Sequence, residues 1–160
     1  MEEKLLNLRD YNDLTQEEIA KIIGVKRTTY SSWENGSITI PLKHLNTLCN
    51  YYNVSMDYFC GFTNIKNDKG NVKLKEVNKI LIGYNIRYIR YKFNLTLRDV
   101  AKILNTSPST ISAYENGRTL ILTSFAYQIC KKYNISMDWL CCRSENINIH
   151  NKVKKVRIKN

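Results

Sequence analysis

The sequence predicts an all-α protein built from two copies of one five-helix domain, followed by a basic tail. Three observations carry that prediction. A segment recurs 81 residues further along without insertion or deletion, and residues 9–60 and 90–141 are identical at 19 of 52 paired positions. In both copies the apolar residues follow helical spacing between residues suited to start and stop helices. The 160 residues are 43% hydrophobic, an ordinary globular proportion. Each copy spans roughly 60 residues, enough to fold alone when nearly all its apolar side chains are used. The expected division is a first domain at 1–61, a linker at 62–74, a second domain at 75–142 and a basic tail at 143–160.

In the first copy, Leu5 and Leu8 suggest an opening helix over about residues 2–10. Thr15 with Glu18 forms a capping-box signature for a second helix over 16–23, whose apolar face is Ile19, Ile22 and Ile23. Gly24 suits the left-handed residue that ends it, and Asn105 is the tolerant equivalent in the second copy. A third helix is expected over 27–35, with Tyr30 and Trp33 facing inward. Pro41 suits the first turn of a fourth, ending near Tyr52, and Ser55 caps a short fifth over 56–60. The second copy repeats this plan with a longer opening helix, expected over 75–92. Ser107-Pro108 gives its third helix a cap followed by proline at the first helical position. Between the copies, Asn67-Asp68-Lys69-Gly70 signals a turn, flanked by Ile65 and Val72 as in a small hairpin. The alternating Val153, Val156 and Ile158 among lysines and arginine fit an edge strand, a phosphate-contacting arm or a disordered end.

Formal net charge is +11, unevenly spread. Residues 1–61 carry six Lys and Arg against eight Asp and Glu, whereas residues 82–142 carry eight against three. The surplus points to a polyanion partner, met mainly by the linker, second copy and tail. No apolar run is long enough to cross a membrane, and the amino terminus lacks a secretory core, so a cytoplasmic protein is expected. Five cysteines at spacings unlike metal-ligand spacing read as reduced, buried small hydrophobes. His44 and His150 stand apart from any acid and nucleophile arrangement, and no glycine-rich phosphate loop is present. No enzyme, metal or cofactor is expected, nor a small-molecule effector.

A short helix, a tight turn and a second short helix are the parts of a helix-turn-helix. Ala20 and Ala101 fall where the two helices cross, and Tyr30 or Ile111 anchors the second one inward. That leaves the outer face of 27–32 free, and a helix of this size fits the DNA major groove, about 12 Å wide. Leu14-Thr15-Gln16-Glu17-Glu18-Ile19-Ala20, Ile23-Gly24-Val25 and Trp33-Glu34-Asn35-Gly36 resemble the lambda-repressor-like Cro/cI (XRE-type) DNA-binding domain. So do the opening segment 82–90 and the closing segments 54–59 and 135–140.

The resemblance implies double-stranded DNA as partner. By position it implies that Thr15 and Gln16 touch phosphate, that Arg27, Thr28 and Ser32 read bases, and that Lys26 and Thr29 lie near the backbone. Arg27 is the best candidate for a guanine contact, because a guanidinium can donate two bonds to O6 and N7. The second copy departs from the pattern, with Leu97 for Gln16, Pro108 for Arg27, Ser109 for Thr28 and Ala113 for Ser32. Its counterpart set is Ser107, Ser109, Thr110, Ala113 and Arg118, in which Ala113 can meet only a thymine methyl. The expectation is a division of labour, with the first copy reading sequence and the second holding phosphate through Arg87, Arg90, Arg98, Lys102 and Arg118. Domains of this kind often dimerise, so a homodimer is the second partner expected. The tyrosines Tyr84, Tyr88 and Tyr91 are expected in the core or between domains, with a protein interface as the other reading. The function implied is a transcription regulator of bacterial or phage origin, of the repressing kind. The alternative is a protein-interaction module, antitoxin-like or regulator-sequestering, which the acidic first copy would suit.

Overall fold

Two capping boxes organise the structure, a computed structural model that describes residues 1–67, 73–74 and 76–149. In the first copy, α1 (Glu2–Tyr11) leads to Thr15, whose side chain accepts from the Glu18 amide while the Glu18 carboxylate accepts from the Thr15 amide. That box starts α2 (Gln16–Ile23). Gly24, at φ +73°, ends it and lets Val25 N–H donate to the Ala20 carbonyl at 2.9 Å. The chain then enters α3 (Arg27–Glu34), α4 (Leu42–Tyr51) and α5 (Met56–Phe59). Leu5, Leu8, Ile19, Ala20, Tyr30, Trp33, Leu45, Leu48 and Phe59 fill the core between them.

The second copy repeats the order as α6 (Lys79–Lys92), α7 (Leu97–Ile103), α8 (Pro108–Glu115), α9 (Thr123–Tyr133) and α10 (Met137–Leu140). Asn105 takes the left-handed conformation of Gly24 at φ +51°, as expected. Among the described residues all regular structure is helical, so the fold is all-α, and most helix ends lie within one residue of expectation. The exception is α6, which begins at Lys79 rather than at residue 75. The Asn78 side chain accepts from the Ile80 and Leu81 amides and so starts the helix there. Gly83 lets α6 cross close to α8, because a Cβ there would stand 2.5 Å from the Tyr114 carbonyl oxygen. The expected hairpin between the copies and the alternating tail over 153–159 lie outside the described residues.

The repeat runs further than residue identity suggests. Ser55 N–H donates to the Lys66 carbonyl, and its counterpart Ser136 donates to the Ile147 carbonyl. Thr63 and Ser144 each accept from an amide two residues on, at 3.2 and 3.1 Å. The first residues of the expected linker and of the expected tail are therefore equivalent closing strokes of the two copies.

The copies meet at α5 and α10 by exchanging caps. The Asp138 carboxylate accepts from the Met56 and Asp57 amides at 3.0 and 2.9 Å, and the Asp57 carboxylate accepts from the Met137 amide at 2.6 Å. Such reciprocity, i to j and j to i, is the signature of a two-fold contact. Here it lies within one chain. The flanks keep the geometry but not the chemistry. Arg143 leaves α10 for α4, donating to Asn46 and Asn50 at 2.6 and 2.7 Å and to Asp138 at 3.1 Å. Its counterpart Phe62 leaves α5 and stacks on Tyr127 of α9, with ring centroids 5.0 Å apart. Cys49, Cys60, Cys130 and Cys141 are buried free thiols, pushed up in pKa by burial, as their reading as small hydrophobes requires, whereas Cys142 is free but only half-buried and accepts from Asn85.

Candidate nucleic-acid interface

Each helix-turn-helix is clamped by an arginine and a glutamate identical in both copies. In the first, Arg9 donates to Glu34 at 2.6 Å and to the Leu14 carbonyl at 2.7 Å, tying α1 to the end of α3 and the start of α2. Glu34 chiefly, through this bond, holds the Arg9 guanidinium above its usual pKa. In the second, Arg90 donates to Glu115 at 2.6 and 2.9 Å and to the Leu95 carbonyl at 3.3 Å, and Arg87 adds a further bond to Glu115 at 3.3 Å while donating to Asn116. Glu115 is buried. The clamps were written in the sequence as the identities Arg9/Arg90 and Glu34/Glu115, a signal that motif reading passed over.

The clamps redistribute the expected contacts. Gln16 donates its amide to Glu34 at 2.7 Å, so this expected phosphate ligand braces α3 with its nitrogen. Arg87 and Arg90, expected on phosphate, are engaged by Glu115 instead. Arg98, Lys102 and Arg118 remain exposed on the second copy. Gly117, at φ +62°, precedes Arg118, whose carbonyl accepts from Lys79.

The recognition helices differ most at their starts. α3 begins at Lys26 without a side-chain cap, and Lys26, Arg27 and Thr28 are exposed. The Arg27 guanidinium is held by no ion pair among the described residues. Thr29 and Ser32 are half-buried, and the Ser32 hydroxyl turns back onto the Thr28 carbonyl at 2.9 Å. α8 is closed. Ser107 accepts from the Thr110 amide, and its hydroxyl lies 2.8 Å from that of Ser109 and 2.9 Å from that of Thr110. Pro108 adds no amide. Ala113 lies in a shallow groove with Tyr114, Leu120 and Leu122. Thr15 is exposed with its hydroxyl on Glu18.

The connections that follow α3 and α8 come together. Residues 38–42 and 120–124, of which 39–42 and 120–123 pair in the repeat, line one cleft of about 360 Å³. The connections that follow the two recognition helices therefore share one cleft. Among the described residues no helix is long and apolar enough to cross a membrane, and no cluster of side chains is arranged to hold a metal.

Comparison with known proteins agrees with this architecture. A helix-turn-helix family model matches residues 5–59, and a second, described as a helix-turn-helix domain, matches residues 83–141. An HTH-type transcriptional regulator of Bacillus subtilis strain 168, YobD, is 33% identical over 103 residues, covering 64% of this chain and 90% of the relative. The antitoxin PezA of Streptococcus pneumoniae serotype 4 is 38% identical over 56 residues, 35% of either chain. Among solved structures, the clp gene regulator ClgR of C. glutamicum is 22% identical, covering 43% of this chain and 90% of its own, at a TM-score of 0.38. With a clamped helix-turn-helix in each half and a regulator matched over nearly its whole length, the chain belongs to the XRE-type helix-turn-helix family and carries its domain twice in tandem.

Proposed function

We propose that this protein is a sequence-specific DNA-binding transcription regulator, acting as a repressor, in which one chain supplies both recognition helices of the operator complex. One observation carries the reading: the caps exchanged between Asp57 and Asp138 join the copies in a two-fold manner, with the connections after α3 and α8 lining a common cleft. Half-sites one helical turn apart, roughly 34–36 Å, suit such a pair. The half-sites differ in kind. The first is read by Arg27, Thr28 and Ser32, flanked by Lys26 and Thr29. The second is held by Arg98, Lys102 and Arg118 with an apolar contact from Ala113. The hydrogen bonds from Ser55 to Lys66 and from Ser136 to Ile147 support domains that reach at least to those residues. Repression follows by occlusion, since no further domain is needed to block a promoter.

A second reading is an antitoxin-like or regulator-sequestering module. The acidic charge of residues 1–61 favours it, as does the likeness to a protein named as an antitoxin.

Fluorescence anisotropy separates the two. The full chain is titrated against fragments of its own promoter region and a scrambled duplex, over roughly 50 to 200 mM salt. A preference of about 10³-fold for one fragment, with a steep negative salt slope and one chain per duplex, supports the regulator. Equal weak binding to every fragment overturns it and leaves the partner-protein reading.

A further inference from the structure

The outer face of α6 is rich in tyrosine and largely exposed, with Tyr88 resting partly on Trp139 of α10, ring centroids 5.6 Å apart. The inner face of α6 is Ile82, Gly83, Ile86 and Ile89, all buried. On the other side Leu81, Tyr84, Tyr88 and Tyr91 recur at spacings of three, four and three, and the three tyrosines are 57%, 51% and 65% exposed. The expectation that this stripe is core or interdomain packing is thereby corrected: helical spacing reveals a stripe, and it is the solvent side that carries it. The fold does not require tyrosine there. At the same positions of α1 stand Glu3, Asn7 and Asp10. Tyrosine rings offer large contact areas with few rotatable bonds, which is why they are enriched in protein interfaces.

Charge says what the face would accept. α6 carries no acidic residue; Arg87 and Arg90 share the one charge of the buried Glu115, and Lys79 and Lys92 are exposed, which leaves the helix a cationic surplus. Lys92 lies 5.8 Å from the centre of the Tyr88 ring, and the Arg90 guanidinium lies 4.5 Å from that of Tyr91. Two α6 faces meeting each other would oppose cation to cation. The complementary surface is the outer side of α1, where Glu3 is exposed beside exposed Leu6 and Tyr11, with Glu2 on the terminal amine and Asp10 on Arg9 at their edges. One chain thus bears both halves of a contact.

We propose that the α6 tyrosine face docks the α1 face of a second copy of this chain. The contact is head to tail, so it leaves one free face of each kind and lets molecules add in a row. It involves none of the residues assigned to DNA, and its failure would leave the operator reading standing.

Sedimentation velocity on the full chain tests it, at low and high salt and rising concentration. The wild type is expected to associate at low salt and to dissociate as salt screens the contact. Tyr84→Ser with Tyr88→Ser removes one face, and Glu3→Lys with Asp10→Lys removes the other. Each double variant alone is expected to be monomeric, with an unchanged far-ultraviolet spectrum. Mixed in equal amounts, they should form one mixed dimer and grow no further, since each supplies the face the other lacks. Three results overturn the proposal: a wild type that stays monomeric throughout, a dimer dissolved only by the tyrosine changes, or a mixture that stays monomeric while the wild type associates.

Discussion

α3 and α8 are the same helix placed twice, yet one is open where the other is closed. α3 starts without a side-chain cap and holds Arg27 and Thr28 in solvent. α8 starts on a serine cap, a proline and a knot of three hydroxyls. The buried framework behind them is nearly shared, with the same turn, the same alanine at the crossing and the same arginine–glutamate clamp. Duplication has therefore kept what folds the domain and released the exposed starts of these helices. The clamp itself drifted in one respect: Gln16 supports Glu34 in the first copy, and with Leu97 in its place, Arg87 supports Glu115 in the second.

The largest expected break lies at the seam, where the copies also differ. Asp138→Ala leaves the Met56 and Asp57 amides uncapped and Arg143 buried without its carboxylate. Urea unfolding is expected to show a loss of about 3–5 kcal/mol, as for a buried charge stripped of its partner. Asp57→Ala removes a cap that faces no arginine, and about 1–2 kcal/mol is expected. Equal losses would mean that Arg143 contributes nothing to the seam.

Next in size is the reading face. Arg27→Ala should cost about 1–3 kcal/mol of operator affinity and relax preference at one base pair. Arg118→Ala should weaken all duplexes alike and lower the salt slope by about 1. Binding isotherms on operator and scrambled DNA separate the two behaviours. Reversed roles would assign sequence reading to the second copy. Opening α8 sharpens the contrast: Pro108→Arg with Ala113→Ser should give the second copy a base preference worth about 1 kcal/mol, seen by selecting sequences against the variant.

The smallest expected effect is in pH. Burial, then repulsion from Asp138, pushes the Asp57 carboxyl up to about 6, from an ordinary 3.8. A raised pKa means that the folded chain holds the proton more tightly than the unfolded one. Stability should therefore rise as pH falls from 7 through 6 toward 5, and this gain is lost again as pH rises through 6. Asp57→Asn should flatten that part of the profile in thermal melts.

The local structure was legible in the sequence because its causes are local. Thr15 with Glu18, Gly24 against Asn105, and Ser107-Pro108 each announce a helix end within a few residues. The start of α6 was misplaced by one turn because Asn78, which caps it, sits inside an apolar pattern that continues upstream to Val77. The reach of the repeat past residue 61 was hidden because backbone groups make those bonds, and Lys66 against Ile147 carries no resemblance. The candidate site was half legible. Position alone marked Arg27 and Thr28, but whether an arginine is free or clamped depends on a glutamate 25 residues away, as Arg90 and Glu115 illustrate. The seam was beyond reach, since Asp57 and Asp138 are identical in both copies and nothing in either says that each caps the other's helix.

The exchanged caps also bear on how such a protein changes over generations. In a dimer of identical chains every substitution is made twice, so a residue that suits one half-site is imposed on the other. Here the two halves are encoded separately and held together by Asp57 and Asp138. In the proposed operator complex, a base change on one side can be answered by one codon on that side, with the opposite contact left as it was.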